Sequence, residues 1–193
     1  MISDLILSLF AIYIFTQIRK YDKKWGAFYL FMSLSAFVGG IHHGFPIIGE
    51  EFRFLSWVFL STSLIYAQLA AYSDVNNKTL KFLIIVKSTS FLFLAFLHSN
   101  FIFMILDTAI SMLGFIVIGN LLYLKSLSRF ITYGILVSLT SVFFVVYKIS
   151  FSNDYLNYND IGHYISILSL ILISKGIKRD YSNDKRNLSL QRL

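Results

Sequence analysis

The chain contains seven apolar stretches, each close to the length that a helix needs to cross a membrane. They cover roughly residues 3–18, 25–45, 53–73, 79–98, 100–122, 128–151 and 160–177. A spanning helix needs about 20 mostly apolar residues, and it satisfies its own backbone polar groups because lipid offers no partners. The connections between the stretches are short. The sequence therefore predicts an all-α fold, a bundle of seven transmembrane helices, over residues 1–178.

Composition agrees with a membrane protein. Charged residues make up 14% of the chain, against about a quarter in soluble domains, and the mean hydropathy is +0.69. The N-terminal sequence MISDLILSLFAIYIF has no basic segment and no small-residue cleavage site. It is therefore predicted to be the first anchor and not a cleaved signal peptide. The chain has no cysteine, which excludes disulfides and thiolate metal sites.

The distribution of basic residues predicts the orientation. Fourteen of the 17 Lys and Arg residues fall on one side of the predicted bundle: Arg19, Lys20, Lys23, Lys24, Lys78, Lys81, Lys125, Arg129, Lys175, Lys178, Arg179, Lys185, Arg186 and Arg192. The other side carries Asp4, Glu50, Glu51, Asp154 and Asp160, with Arg53 as its basic residue. Because Lys and Arg are enriched in cytoplasmic segments, the N-terminus is predicted outside and the C-terminus inside.

The same distribution explains the net charge of +7. Residues 179–193 are predicted to form a flexible, basic cytoplasmic tail. A basic cytoplasmic face suits the anionic lipids of a membrane as partners. Nucleic acid is therefore not an expected partner.

The stretch GGIHHGF places two of the four histidines, His42 and His43, at the end of the second predicted helix. In the predicted orientation His98 and His163 also lie in the outer half of the bundle. His43 shares a helical face with Gly39 and other small residues, which allow neighbouring helices to approach closely. His43 is therefore predicted to face the bundle interior, with His42 as the alternative.

Ionisable groups inside a membrane usually face a partner or a cavity, because each costs roughly 2.5–3.5 kcal/mol to insert. Imidazole and carboxylate groups suit zinc, and catalytic zinc keeps three protein ligands and one open position. We therefore predict His43, Asp160 and His163 as metal ligands, with Asn159 and His42 as further candidates. An equally open interpretation makes His43 and His163 hydrogen-bonding partners in a structural polar cluster.

Two residues are candidates for catalysis beside such a metal. Asp107, about two turns into the fifth predicted helix, can handle protons, and Ser35 can stabilise an oxyanion. Both have structural alternatives. Lys87 on the fourth helix lies about 6 Å deeper at helical rise, which makes a Lys87–Asp107 ion pair as compatible with the sequence as catalysis. Ser35 is also a small residue of the kind that packs between membrane helices.

These motifs carry two resemblances. His43 and the segment Asn159–His163 resemble the zinc motif of the alkaline ceramidase and adiponectin-receptor (CREST) hydrolases, which have seven membrane helices. In that superfamily a histidine of the second helix and an HxxxH pair at the start of the seventh hold zinc, and a serine and an aspartate complete the site. The segments GGIHHGF and LNYNDIGHYISILSLILISKG also resemble an uncharacterised bacterial family of small seven-helix membrane proteins, with GGxxHGF and NxNDxxH motifs.

The resemblance to the hydrolases is partial. Asn159 stands where the first histidine of HxxxH is expected, and Gly39 stands where the serine before His43 is expected. The third predicted helix also lacks the superfamily's aspartate, and the membrane aspartate here is Asp107 on the fifth.

The resemblances and the residues together predict two classes of function. The first is a zinc-dependent hydrolase of a lipid amide or ester, working from a polar pocket at the outer leaflet of a bacterial inner membrane. The second is a non-catalytic lipid-binding or receptor-like protein that keeps the fold with a degenerate site. Transport is a third possibility, but few polar residues lie in the inner half, and no motif supports a haem.

Overall fold

The structure, a computed structural model, describes residues 2–45, 49–73, 75, 77–124, 128–152 and 156–190. Within these residues it is all-α and contains no β-strand, which confirms the predicted fold class. The helices are α1 (Ile2–Ile18), α2 (Lys23–Gly44), α3 (Glu50–Ala71), α4 (Lys78–His98), α5 (from Ile102), α6 (Arg129–Val146) and α7 (Tyr158–Leu190). Lys125, Asp154 and Arg192, which contribute to the predicted orientation, lie outside the described residues.

Six of the described helices, α2 to α7, are long and apolar enough to cross a membrane. The first helix differs from the other six, because α1 has 17 residues and is the shorter apolar helix. At 1.5 Å per residue it is about 25 Å long, the lower end of what a span requires. At the other end of the chain, α7 continues beyond the predicted span to Leu190.

Helix boundaries follow local sequence signals. The Asp22 carboxylate accepts hydrogen bonds from the backbone N–H groups of Lys24 and Trp25, and so caps the start of α2. Asn77 caps α4 in the same way by accepting from the N–H of Leu80 at 3.0 Å. Asp and Asn are preferred at these positions because they satisfy N–H groups that have no partner within the helix. Ser99, with φ 48°, ends α4 in the left-handed conformation.

The helix that begins at Ile102 changes its winding along its length. It is α-helical over Ile102–Ala109 and then adopts wider, π-type hydrogen bonding over Ile110–Ile118 and Asn120–Leu124. The hydroxyl of Tyr72, from the end of α3, donates to the carbonyl of Phe115 at 2.6 Å. This hydrogen bond joins the end of α3 to the middle of the first π-type segment.

The helices pack as a bundle in which α1 lies antiparallel to α2 and parallel to α7, and α7 also packs against α6. Glycines allow the closest of these approaches. A Cβ atom at Gly134 of α6 would lie 2.9 Å from the carbonyl oxygen of Ser169, and one at Gly176 of α7 would lie 2.9 Å from the backbone nitrogen of Ile131. Side-chain contacts bring the beginning of α1, the end of α2 and the beginning of α7 together at one end of the bundle.

Candidate functional site

Five polar side chains from three helices meet at the end of the bundle where α1 and α7 begin and α2 ends. We call them the polar cluster: Ser3, Asp4, His43, Asp160 and His163. The hydroxyl of Ser3 donates to Oδ1 of Asp160 at 2.5 Å and lies 2.9 Å from Nδ1 of His163. Nε2 of His163 lies 3.4 Å from Oδ1 of Asp4, and Nδ1 of His43 lies 3.5 Å from the same carboxylate.

Three residues of the polar cluster form a chain of hydrogen bonds, in which His163 donates to Ser3 and Ser3 donates to Asp160. A serine hydroxyl has one proton, and Ser3 donates it to Asp160. Its oxygen is then the acceptor for the Nδ1–H of His163. His163 is thereby held between a serine on one side and the Asp4 carboxylate on the other, so both ring nitrogens face groups of α1.

The start of α7 is shaped by a capping arrangement that includes Asp160. The side-chain oxygen of Asn157 accepts from the N–H groups of Asn159 and Asp160, at 2.9 and 3.1 Å. In return, Oδ2 of Asp160 accepts from the N–H of Asn157 at 3.2 Å. This reciprocal bonding is that of a capping box, with Asn and Asp in the two positions. Asp160 therefore uses both oxygens within the protein, one for the helix cap and one for Ser3.

A cavity of about 520 Å³ begins at the polar cluster and extends into the bundle. Its polar lining lies near the end of the bundle where α1 begins and includes Asp4, His42, His43, Arg53, Asn159 and His163. Deeper in the bundle the lining is mainly apolar and includes Leu7, Phe28, Met32, Leu64, Leu170 and Ile173, with the serines Ser35, Ser138 and Ser169 among them. The cavity is thus amphiphilic, with its polar and apolar parts in the order that a lipid-like molecule has along its length.

The structure brings some of the seven predicted site residues together at the polar cluster and places the others along the cavity or between other helices. His43 and His163 both approach one carboxylate, which belongs to Asp4 and not to Asp160. His42 and Asn159 line the cavity, and Nδ1 of His42 is buried with no hydrogen-bond partner among the described residues. Ser35 and Asp107 are engaged elsewhere.

Ser35 joins α2 to α3. Its hydroxyl donates to the backbone oxygen of Ser56 at 2.9 Å, and the hydroxyl of Ser56 donates to the backbone oxygen of Ser35 at 3.0 Å. Such reciprocal bonds between side chain and backbone hold two membrane helices together. Ser35 also lines the cavity, but its hydroxyl proton is already used.

Asp107 lies in a second polar group, between α4 and α5. Its side chain is fully buried, and Oδ1 lies 2.5 Å from Nζ of Lys87. The same oxygen accepts from the hydroxyls of Ser88 and Ser111, both at 3.2 Å. Asp107 does not line the cavity that the polar cluster opens into. The structure therefore has the Lys87–Asp107 ion pair that the sequence left open.

The arrangement of the described residues does not fit the three-ligand zinc site. No three His, Cys, Asp or Glu side chains in the described ranges converge on a position that could hold a metal ion. Asp160 is turned toward Ser3 and the helix cap, and the Asp4 carboxylate stands between the two histidines instead. Zinc-dependent hydrolysis therefore stays a prediction.

Sequence reasoning missed Ser3 and Asp4, because it assigned Asp4 to the charges outside the bundle. A signal was present in the spacing of α1. The buried residues of this helix include Asp4, Leu7, Ala11, Ile14 and Ile18, which recur every three or four positions. Asp4 begins this inward-facing stripe, so helical periodicity alone assigns it to the bundle interior.

One comparison with known proteins identifies a relationship. A model of the family of unknown function DUF6962 matches residues 1–182, so the chain belongs to that family. No curated protein and no solved structure matches the chain. The relation to the alkaline ceramidase and adiponectin-receptor group stays a prediction from the motifs.

Proposed function

We propose that this member of the DUF6962 family is an integral membrane protein that binds a lipid-like amphiphile without chemical conversion. The ligand's polar group lies at the polar cluster and its hydrocarbon part lies in the apolar interior of the cavity. The observation that supports this proposal is the change of lining along the cavity, from Asp4, His43 and His163 at one end to Leu64 and Leu170 within. Its volume, about 520 Å³, is in the range of about 300–1,000 Å³ that small-molecule sites occupy.

Binding is favoured over hydrolysis by a serine nucleophile, because the serine of the polar cluster is not accessible from the cavity. Ser3 has the serine–histidine contact that an activated serine needs, but its side chain is 2% exposed and it does not line the cavity. Its proton is donated to Asp160 and not to His163. The hydroxyls of Ser35 and Ser56 are bonded across the α2–α3 interface. These groups hold helices together and shape a binding site.

The membrane location proposed here has the polar cluster at the outer leaflet of a bacterial inner membrane. Six helices of the described chain are long and apolar enough to span a bilayer. The excess of Lys and Arg at the opposite end of the bundle supports an outside N-terminus through the positive-inside rule. A ligand of the cavity then enters from the outer leaflet or from the space beyond it.

The test uses the fluorescence of Trp57, which lines the cavity. Trp25→Phe removes the other of the two tryptophans. A monoacylglycerol with a brominated chain is then titrated into the protein in maltoside micelles, and we expect saturable quenching of Trp57. Ser138→Phe places a ring in the cavity and should abolish the saturable phase.

The matched control is Thr140→Phe on the same helix. Ser138 and Thr140 each donate to the carbonyl three residues earlier, but Thr140 is exposed and does not line the cavity. We expect quenching to survive in the control. Quenching that does not saturate, or that is equal in the two phenylalanine variants, would show that the bromine reaches Trp57 from the micelle and would overturn the proposal.

A further inference from the structure

Two nitrogen atoms at the polar end of the cavity have no hydrogen-bond partner among the described residues. They are Nε of Arg53, at the start of α3, and Nδ1 of His42, near the end of α2. Both atoms are buried, and both residues line the cavity. They are separate from the hydrogen bonds of the polar cluster, which involve α1 and α7 and the neighbouring His43.

The guanidinium of Arg53 is held in place by its surroundings. It lies 5.1 Å from the ring centroid of Phe54 and 5.1 Å from that of Trp57. One of its terminal nitrogens pairs with Glu50, one turn earlier on α3. Cation–π contacts of this kind fix the plane of the guanidinium. Its Nε–H is therefore oriented before any ligand arrives.

A buried donor without a partner is costly, because it has given up its hydrogen bonds to water. The cost disappears when a ligand supplies acceptors, and a group of several oxygens with a negative charge matches a guanidinium best. Two unpartnered nitrogens in one cavity, one of them on a permanent cation and the other a donor when His42 takes its Nδ1–H tautomer, are complementary to such an oxyanion. We propose that the ligand of the cavity is an anionic amphiphile whose carboxylate or phosphate oxygens bind Arg53 and His42. This inference rests on the proposed function and adds the charge of the ligand to it.

Glu50 does not take the place of this ligand. Its side chain is 60% exposed, while that of Arg53 is 28% exposed. An ion pair with an exposed partner contributes little, because water screens it. An oxyanion inside the cavity is less screened and can share the guanidinium with Glu50 or replace it. Removal of the Glu50 charge should therefore strengthen binding of an anionic ligand.

The experiment compares two brominated amphiphiles with the same acyl chain, a fatty acid and a monoacylglycerol, by quenching of Trp57 in the Trp25→Phe background. We expect the fatty acid to bind the protein at least about tenfold more tightly than the monoacylglycerol, the ratio expected for one charge-assisted hydrogen bond. Arg53→Gln should remove this preference, so that the two probes bind the variant with similar affinity. Glu50→Gln should increase the preference.

Arg19→Gln is the control for loss of one positive charge, because Arg19 lies beside Phe15 at the opposite end of the bundle. It should leave the preference intact. Inorganic phosphate is added as a competitor, to test whether the oxyanion comes from an amphiphile or from a free anion. If the ligand is an amphiphile, phosphate should displace the fatty acid only at a far higher concentration than the fatty acid itself. Equal affinities for both probes, or a preference that survives in Arg53→Gln, would overturn the inference while the proposed function stands. Displacement by phosphate at the same concentration as the fatty acid would overturn it in favour of a free anion. Absence of saturable quenching by both probes would overturn the proposed function itself.

Discussion

The carboxylate of Asp4 lies 3.4 Å from Nε2 of His163, so the first and last helices of the bundle meet through an ionisable pair. The side chain of Asp4 is 4% exposed and that of His163 is 22% exposed. A carboxylate in a membrane protein is tolerated where partners surround it. The pair therefore positions the short helix α1 against α7.

We expect Asp4→Asn to destabilise the protein by about 1–3 kcal/mol, because His43 and His163 lose a charged partner that the amide does not replace. The measurement is the unfolding temperature of the purified protein in detergent. Glu51→Gln, which removes an exposed carboxylate, is the control and should change the temperature little. Equal effects of the two substitutions would show that the Asp4 contacts do not hold α1 in place.

The ion pair of Lys87 and Asp107 leads to a second prediction. Asp107→Ala leaves the ammonium of Lys87 without its partner and should cost about 3–5 kcal/mol, as for other buried pairs that lose one member. The double substitution Lys87→Met with Asp107→Leu removes both charges and should recover most of that loss. Unfolding in detergent is again the measurement.

The same double variant separates a structural role of Asp107 from a role in the site. Asp107 does not line the cavity, so ligand quenching of Trp57 should be retained in the double variant. Lys78→Met removes an exposed cation from the same helix as a control. If the double variant folds but no longer binds the amphiphile, Asp107 serves the site and the structural assignment is wrong.

Metal content gives a third prediction. The described residues contain no group of three His, Cys, Asp or Glu side chains that could hold a metal ion. We therefore expect elemental analysis of the purified, chelator-free protein to find far less than one zinc per chain, also after zinc is added back and the excess removed. About one zinc per chain, lost in a folded His163→Ala variant, would contradict this and restore the hydrolase hypothesis.

The fold was largely predictable from the sequence, while the partners within the site were only partly so. Runs of apolar residues and the caps at Asp22 and Asn77 give the helices, because these signals are local. Helical periodicity also placed His43 and His163 on helix faces that point into the bundle. Which carboxylate the two histidines contact depends on the depth in the bundle at which each helix begins, and the sequence does not specify that depth. The sequence favoured Asp160 as a metal ligand because Asp160 lies close to His163 along the chain. In the structure, Asn157 and Ser3 donate hydrogen bonds to its oxygens instead.

The contact between α6 and α7 gives the last prediction, and it concerns backbone packing. A Cβ at Gly134 would lie 2.6 Å from Cγ1 of Ile173, 2.9 Å from the backbone oxygen of Ser169 and 3.0 Å from the backbone nitrogen of Ile173. A side chain can move away from a new methyl group, but two backbone atoms of a neighbouring helix cannot do so without separating the helices. We therefore expect Gly134→Ala to lower the stability by about 1–3 kcal/mol, the usual cost of overpacking.

Gly114→Ala in α5 is the matched control, because the nearest atom to its added Cβ, Cγ2 of Ile110, is 4.0 Å away. Alanine is better than glycine in a helix by roughly 0.5–1 kcal/mol, so the control should be neutral or slightly stabilising. Equal unfolding temperatures for Gly134→Ala and Gly114→Ala would show that α6 and α7 are not in backbone contact at this position.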